Sequence, residues 1–372
     1  MRVLLPAVAM LAMLMTARLA FGGATSEPSS AALDVLNAFD REQLSPQTRR
    51  IVRSEFSDTV TNTLGSRLFT KGTAEVRQDV DGRLDWIERR WRLPSENAPP
   101  PPEDKVGTYR ELWTGKALYE YGEYGTHRAS ATLHITSKSA MPAEFHGLHY
   151  RGEQLDGTYP GDFVPFTVAI KDAPDLRLDP QPAFIDGERC VVVLAKSKSG
   201  SYRICLDPAH GYVVLSAKVV RQGDDEMYGK KMSSLKASPL AAQIPGFPTS
   251  RETEFVFSID QVSVKQIEQH WVPISAIYSE DSTFADGTTV PGTTHIQRTF
   301  ETFSPGFAAA HAFVPEFPNG TRVFKSDSGP MEFEWRDGKV HSAVEDQTDD
   351  NDGQPINAAP KSAPPATTAP GK

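Results

Sequence analysis

The residues with the richest ligand chemistry stand together in the stretch Glu144-Phe145-His146-Gly147-Leu148-His149. Two imidazoles and a carboxylate are donor types that hold zinc. The metalloprotease arrangement needs its histidines at i and i+4 on a helix, with a glutamate between them as general base. Here the spacing is i+3, the glutamate precedes both histidines, and the segment is a Gly-containing loop between strand patterns. It reads as a surface or turn pair, and no metal site is assigned. His134 falls on the polar side of an alternating strand and reads as solvent-facing. His210 lies in Leu206-Asp207-Pro208-Ala209-His210-Gly211-Tyr212 and reads as turn chemistry rather than as a base. Ser233-Ser234-Leu235-Lys236 matches the S-x-x-K nucleophile pattern, but the companion motifs of that chemistry are absent. Asp224-Asp225 reads as loop charge. The sequence has no G-x-S-x-G elbow, P-loop or dinucleotide fingerprint. No catalytic residue and no cofactor is assigned, and the expectation is a protein without enzymatic activity.

The two cysteines, Cys190 and Cys205, bracket a hairpin pattern, CVVVLAKSKSGSYRIC. A turn centred on Ser197 and Lys198 would set them directly opposite each other, within reach of a disulfide. Closing a loop of this size contributes about 3 kcal/mol in the chain-entropy model. A structural disulfide is the expectation. A redox pair or metal site is the alternative, and the absence of a C-x-x-C motif weighs against it.

The elements that must position these residues are mostly strands. Ala32, Val35, Leu36 and Phe39 recur at i, i+3, i+4 and i+7, which predicts a helix capped near Ser30. A second short helix is predicted from Ser45, with Pro46 at its first position. From about Thr59 the period changes to two. Ala129, Ala131, Leu133 and Ile135 alternate with polar partners, as do Met331, Phe333 and Trp335. Tyr109, Glu111 and Trp113, continuing through Ala117, Tyr119 and Tyr121, predict one long strand with a mainly aromatic face. Val164, Phe166, Val168 and Ile170 predict another. Val191 to Ala195 is apolar throughout, so that strand is covered on both faces, with the N-terminal helices as its expected cover. Turn dipeptides such as Asp186-Gly187, Asp286-Gly287 and Asp337-Gly338 separate the strands. Pro99 to Pro102 predicts an extended loop within the domain. The fold class is mainly β: a large curved antiparallel sheet, a half or incomplete barrel, with N-terminal helices covering one face.

Residues 1–24 have the features of an export signal: Arg2, an apolar stretch from Val3 to Met15, and small residues from Ala20 to Ala24. The expectation is export to the periplasm or beyond. A single domain is expected over 25–344, followed by a disordered tail over 345–372, acidic first and then rich in Pro, Ala and Thr. With 372 residues, 39% of them hydrophobic and a net charge of −9, the chain can bury a large core and is a poor partner for nucleic acid. No long apolar run follows the signal, so no membrane span is expected after its removal. The aromatic residues of the sheet have two readings. One is ordinary core. The other is a concave apolar surface that takes a lipid or another greasy ligand, with Trp86, Trp113, Phe166 and Phe257 as its lining.

Several segments carry a family resemblance: YRELWTGKALYEYGEYG, DGRLDWIERRW near Asp81, YRICLDPAHGYVVLSAKVVR over 202–221, HWVPISAIY over 270–278 and FVPEFPNGTRVF over 313–324. With the export signal and the leading helix, they resemble the LolA-like and LppX-like bacterial lipoprotein carriers over about residues 50–340. The resemblance implies an incomplete β-barrel with helices over its open side. It also implies a role in binding lipid or lipoprotein acyl chains in the cell envelope. The chain is longer than such carriers, with an insertion around 222–253 and a hairpin cysteine pair, and none of their functional residues can be placed on it. Two other classes stay open at this point: an envelope structural or interaction protein whose core is filled by its own side chains, and a hydrolase with an unseen site.

Overall fold

A computed structural model describes residues 29–44, 49–124, 129–135, 152–162, 164–235, 247–307, 312–325 and 332–342. The export signal, the helix expected at Ser45, the His146/His149 pair, Lys236 and the C-terminal tail lie outside the described residues.

The first described element is the helix α1 (Ser30–Gln43), with Ser29 at its N-cap position. An antiparallel meander follows: β1 (Arg50–Thr61), β2 (Arg67–Gln78), β3 (Leu84–Leu93), β4 (Gly107–Trp113), β5 (Ala117–Tyr124) and β6 (Ser130–Ile135). The segment 152–162 and the one-turn helix α2 (Phe166–Ile170) lead to the short strands β7 (Arg177–Leu178) and β8 (Ala183–Ile185). A second meander comprises β9 (Glu188–Ser197), β10 (Gly200–Asp207) and β11 (Val213–Gln222). β12 (Glu226–Met227) and β13 (Lys230–Lys231) form a separate small ladder. The long strands β14 (Glu252–Ile267), β15 (His270–Phe284) and β16 (Thr289–Thr302) precede β17 (Thr321–Lys325), β18 (Glu332–Arg336) and β19 (Lys339–Ser342).

The strands of the main sheet lie side by side in the order β19, β18, β17, β6, β5, β4, β3, β2, β1, β16, β15, β14, β11, β10, β9, with β7 and β8 both along the far side of β9. Every pair is antiparallel except β17 with β6. The sheet does not close on itself. The first strand therefore sits in its middle, joined to β16 in a register running from Ile51 opposite Thr302 to Val60 opposite Gly292. Asp-Gly turns do the work expected of them: Asp186 and Asp337 take φ of 51° and 49°, each followed by a glycine with positive φ, as a two-residue hairpin of the primed type requires.

The main core lies on one face of the β9 to β16 half and on β1. Ile204, Ala217, Ile259 and Tyr278 stand in one row across four strands, and Phe56, Ile296 and Ala276 in another. Packed into the same cluster are Ala32, Leu36 and Phe39 of α1, Leu155 and Tyr159 of the 152–162 segment, and Phe166 and Ile170 of α2. Val192, Val193 and Ala195 of the apolar β9 run are buried there too. A second cluster, with Tyr121, Leu133, Phe317 and Trp335, joins β5 and β6 to the C-terminal strands.

Three local expectations are corrected. The segment 164–170 is not a strand: Phe166–Ile170 is helical, with Pro165 at the N-cap. Its buried residues, Phe166, Thr167 and Ile170, share a helical face, while Val168, expected to share their side, is 57% exposed. The long strand from Tyr109 to Tyr121 is a hairpin, turned at Gly115 (φ 88°), where the amide of Thr114 donates to the carbonyl of Ala117. Tyr119 and Tyr121 consequently face the side opposite to Tyr109, Glu111 and Trp113. In the β9–β10 hairpin Ser197 pairs with Gly200, so the turn is Lys198-Ser199 and Cys205 faces Val192. Cys190 pairs with Ala183 of β8, and both cysteines are buried thiols.

Candidate functional site

Burial of the 152–170 segment shapes what remains open on the core face. Two ion-pair groups hold that segment. At one end Asp156 accepts from Arg50 Nη2 at 3.0 Å and from Arg298 Nη2 at 2.7 Å, while Glu301 accepts from Arg50 Nε at 2.7 Å and from Arg298 Nη1 at 3.3 Å. Two guanidinium groups and two carboxylates make a buried, neutral tetrad. Burial alone would raise the Asp156 pKa. The Arg298 and Arg50 charges outweigh it and hold this carboxyl well below the usual carboxylate range. At the other end the fully buried Arg221 pairs with Asp162 Oδ2 at 3.0 Å and donates to the carbonyl of Pro160 at 2.8 Å. The Tyr202 hydroxyl also donates to Asp162, at 2.9 Å.

Between the Asp162 anchor with α2 and the tip of the β9–β10 hairpin lies a cleft of about 690 Å³. Its apolar wall is Val164, Val168, Ala169, Ala173 and Pro174, from α2 and the residues beside it. Lys196, Lys198 and Glu226 line the opposite rim. Lys196 Nζ meets Asp225 at 2.5 Å, and Lys198 Nζ meets Glu226 at 3.0 Å. The size is that of a small-molecule site, and an apolar wall with a charged rim suits a ligand with a greasy body and a polar end. The residues form this cleft because Pro165 starts a helix whose outward side, Val168, has no strand to pack against.

Two other cavities differ in character. One of about 810 Å³ runs over β1, β14, β15 and β16 and is lined largely by polar groups, among them Glu55, Lys71, Gln261, Ser263, His295 and Gln297. One of about 510 Å³ lies beside Asp179, Pro182, Arg189, Cys190 and Pro208.

The four aromatic residues expected to line a cavity do not meet in one place. Phe166 and Phe257 are fully buried, and both touch Tyr159, at ring-centre distances of 5.8 and 5.3 Å. Trp86 belongs to a small separate cluster with Ala74 and Val76. Trp113 is buried between Leu84 and Leu118 in the register of its neighbours. None of the four lines any of the three cavities.

Sequence reasoning missed a charged patch on β3, β4 and β5. Glu88 and Glu111 are buried on the face shared by Trp86 and Tyr109. The Tyr109 hydroxyl donates to Glu111 Oε1 at 2.5 Å. Burial, together with the charges of Glu120, Glu153 and Glu88, pushes the Glu111 carboxyl up to about 8, against the opposing pull of the Tyr109 hydrogen bond. His134, expected to face solvent, contacts Glu120 Oε2 through Nε2 at 2.7 Å and is half-buried. Asp225, read as loop charge, is buried; it accepts from the amide of Gln222 and pairs with Lys196. Alternation alone could have shown Glu111 on the same face as Trp113, but not that this face is covered.

Among the described residues, one group has donor atoms close enough to hold a metal ion: Glu188, Asp207 and His210. No described helix is long and apolar enough to cross a membrane.

No family model matches the chain, and no curated protein matches it in sequence. Solved structures do. A putative outer membrane lipoprotein-sorting protein domain from Vibrio parahaemolyticus is 8% identical, with 74% of this chain and 93% of that one covered and a TM-score of 0.37. A DUF1329 family protein from Desulfovibrio piger is 11% identical, with 77% and 97% covered and a TM-score of 0.37. A LolA superfamily protein from Nitrosomonas europaea is 8% identical, with 74% and 94% covered and a TM-score of 0.34. Two of these three, the lipoprotein-sorting domain and the LolA superfamily protein, carry names of the group that the strand segments resemble.

Proposed function

We propose that this protein binds, without covalent chemistry, a lipid-like molecule whose acyl chain enters the cleft between α2 and the tip of the β9–β10 hairpin, and that it does so in the cell envelope after export. The observation that carries this reading is the one-sided apolar lining of that cleft, Val164, Val168, Ala169, Ala173 and Pro174, under a rim bearing Lys196 and Lys198. Burying apolar surface contributes about 25 cal/mol per Å², so a chain laid along this wall gains affinity in proportion to its length. The rim charges then select the polar end. The binding position differs from the one expected for Trp86, Trp113, Phe166 and Phe257, whose surface is already occupied by protein.

The test is native mass spectrometry of the protein purified from its export compartment, with lipid extraction of the same sample. The expected result is a co-purifying species of defined mass that Val168→Asp abolishes. Because Val168 is exposed, this substitution leaves the core intact. A clean apo mass that takes up neither added fatty acid nor phospholipid overturns the proposal. It favours the second reading, an envelope interaction protein, which the dense packing of Tyr159, Phe166 and Phe257 supports.

A further inference from the structure

The end of the β9–β10 hairpin opposite the cleft carries chemistry that lipid binding does not use. Glu188 begins β9, Asp207 ends β10, and His210 lies three residues further on in a short 3₁₀ turn. The strand register brings these ends together: Leu206 pairs with Val191, which sets Asp207 beside the first residues of β9. One donor atom from each of Glu188, Asp207 and His210 lies within 4.8 Å of the other two.

The local structure holds two of these donors in place. Asp207 is buried, and its Oδ1 accepts from the amide of Ala209 at 2.9 Å, which fixes the carboxylate plane and leaves Oδ2 directed at His210 Nδ1, 2.5 Å away. The imidazole is flanked by the Trp271 ring at 4.3 Å between ring centres, in an edge-on contact. Gln43 in turn donates to the carbonyls of Gly211 and Trp271, at 2.8 and 3.2 Å, tying α1 to both sides of the turn. Glu188 is exposed and supplies the third donor. Solvent reaches the group through the exposed Glu188 and the partly exposed His210, and a cavity of about 510 Å³ lies next to it, lined by their sequence neighbours Arg189, Cys190, Pro208 and Ala209.

The geometry points to a divalent transition-metal site formed by Glu188, Asp207 and His210, with the remaining position open to water. One imidazole and two carboxylates fit Zn²⁺ better than Ca²⁺ or Mg²⁺, whose ligand sets are all oxygen. Metal–ligand bonds of about 2.0–2.1 Å at tetrahedral angles require donors roughly 3.3 Å apart. His210 and Asp207 must therefore separate by somewhat under 1 Å, and Glu188 must close in. The ion takes His210 as the neutral tautomer that carries its N–H on Nε2, so that Nδ1 and Asp207 Oδ2 both face it. The Ala209 amide and the Trp271 ring act as the outer partners that orient such ligands.

Titration of the full protein with ZnCl2 in a calorimeter tests the assignment. One ion per chain is expected. Glu188→Gln and His210→Ala, both at solvent-reaching positions, are each expected to weaken binding by at least about tenfold. Asp207 is left unchanged because it caps the turn. A local readout accompanies the heat: Cu²⁺ placed on His210 quenches the Trp271 emission, and Trp271→Phe removes that part of the quenching. If His210→Ala does not fold, Glu188→Gln alone decides the matter by the same measurements. Absence of Zn²⁺ binding, or binding unchanged in Glu188→Gln, overturns the site. Neither outcome depends on the lipid reading, whose variant lies in α2, beside the other end of the hairpin.

Discussion

Glu111 and Glu120 stand directly opposite each other on β4 and β5, two carboxylates in one cross-strand pair. Like charges in that position repel, and the Glu111 side is buried as well. The pair is tolerated because Glu111 keeps its proton: burial first, then the charges of Glu120, Glu153 and Glu88, push it up to about 8.

A pH dependence of stability follows. The carboxyl of Glu111 is neutral in the folded chain up to about pH 8, whereas in the unfolded chain it ionises near its ordinary value of 4.5. Between those values the folded state binds more protons, so stability falls as pH rises and levels off above pH 8. The difference is on the order of 3–5 kcal/mol. Glu111→Gln is expected to flatten this slope and to raise the urea midpoint at pH 8 while changing little at pH 4.5. Equal shifts at both pH values would contradict the assignment.

The tetrad around Asp156 has the opposite sign. Its carboxyl is held below the ordinary range, so the stability it contributes is present above about pH 4 and is lost as pH falls below that. Asp156→Asn leaves Arg298 and Arg50 short of a buried anion and is expected to cost about 3–5 kcal/mol at neutral pH. Chemical denaturation of the wild type and the variant at pH 7 and pH 3 checks this, with the gap narrowing in acid.

Gly72 on β2 lies flat beneath the Phe56 ring. A Cβ added there would collide with Phe56 Cζ and with the Arg89 carbonyl oxygen. Because one neighbour is backbone of β3, the strand itself must shift. Gly72→Ala is expected to destabilise by about 1–3 kcal/mol, and Phe56→Leu in the same chain should not restore it fully. Thermal unfolding of the single and double variants measures both terms.

The cysteines give a chemical test of register. Cys205 faces Val192 and Cys190 faces Ala183, so a bridge would have to run diagonally. Iodoacetamide is expected to label neither thiol in the folded protein and both after denaturation without reductant, as mass spectrometry would record. A denatured chain that takes up no label until it is reduced would show that the diagonal bridge exists.

How much of this was legible in the sequence depends on the range of the interaction. The face of α1 was readable because Ala32, Leu36 and Phe39 carry the helical period within one element. The Asp186-Gly187 and Asp337-Gly338 turns were readable because positive φ is a local demand. The β9–β10 register was not. Moving the turn from Ser197-Lys198 to Lys198-Ser199, one residue, displaces every partner by two, and Cys190 loses Cys205. Phe166 fits a period of two as well as its one-turn helix, and Pro165 was the signal that could have separated them. The cleft was beyond reach from sequence, since its walls come from α2 and from a hairpin tip that only tertiary packing brings together. Asp207 and His210 were in view as a turn, but Glu188 joins them only through the pairing of β9 with β10.

The central seam of the sheet has a consequence for how the chain must fold. Arg50 and Glu301 meet across β1 and β16 although 251 residues separate them. The meander from β1 to β6 joins strands adjacent in sequence and can form early, but it then presents β1 as a bare edge until the last third of the chain arrives. Closing so distant a contact is slow, and an unpaired strand edge invites pairing with another molecule while it waits. Refolding is therefore expected to be slow and limited by concentration. A holding chaperone that shields β1 is expected to raise the yield more than any change to the core.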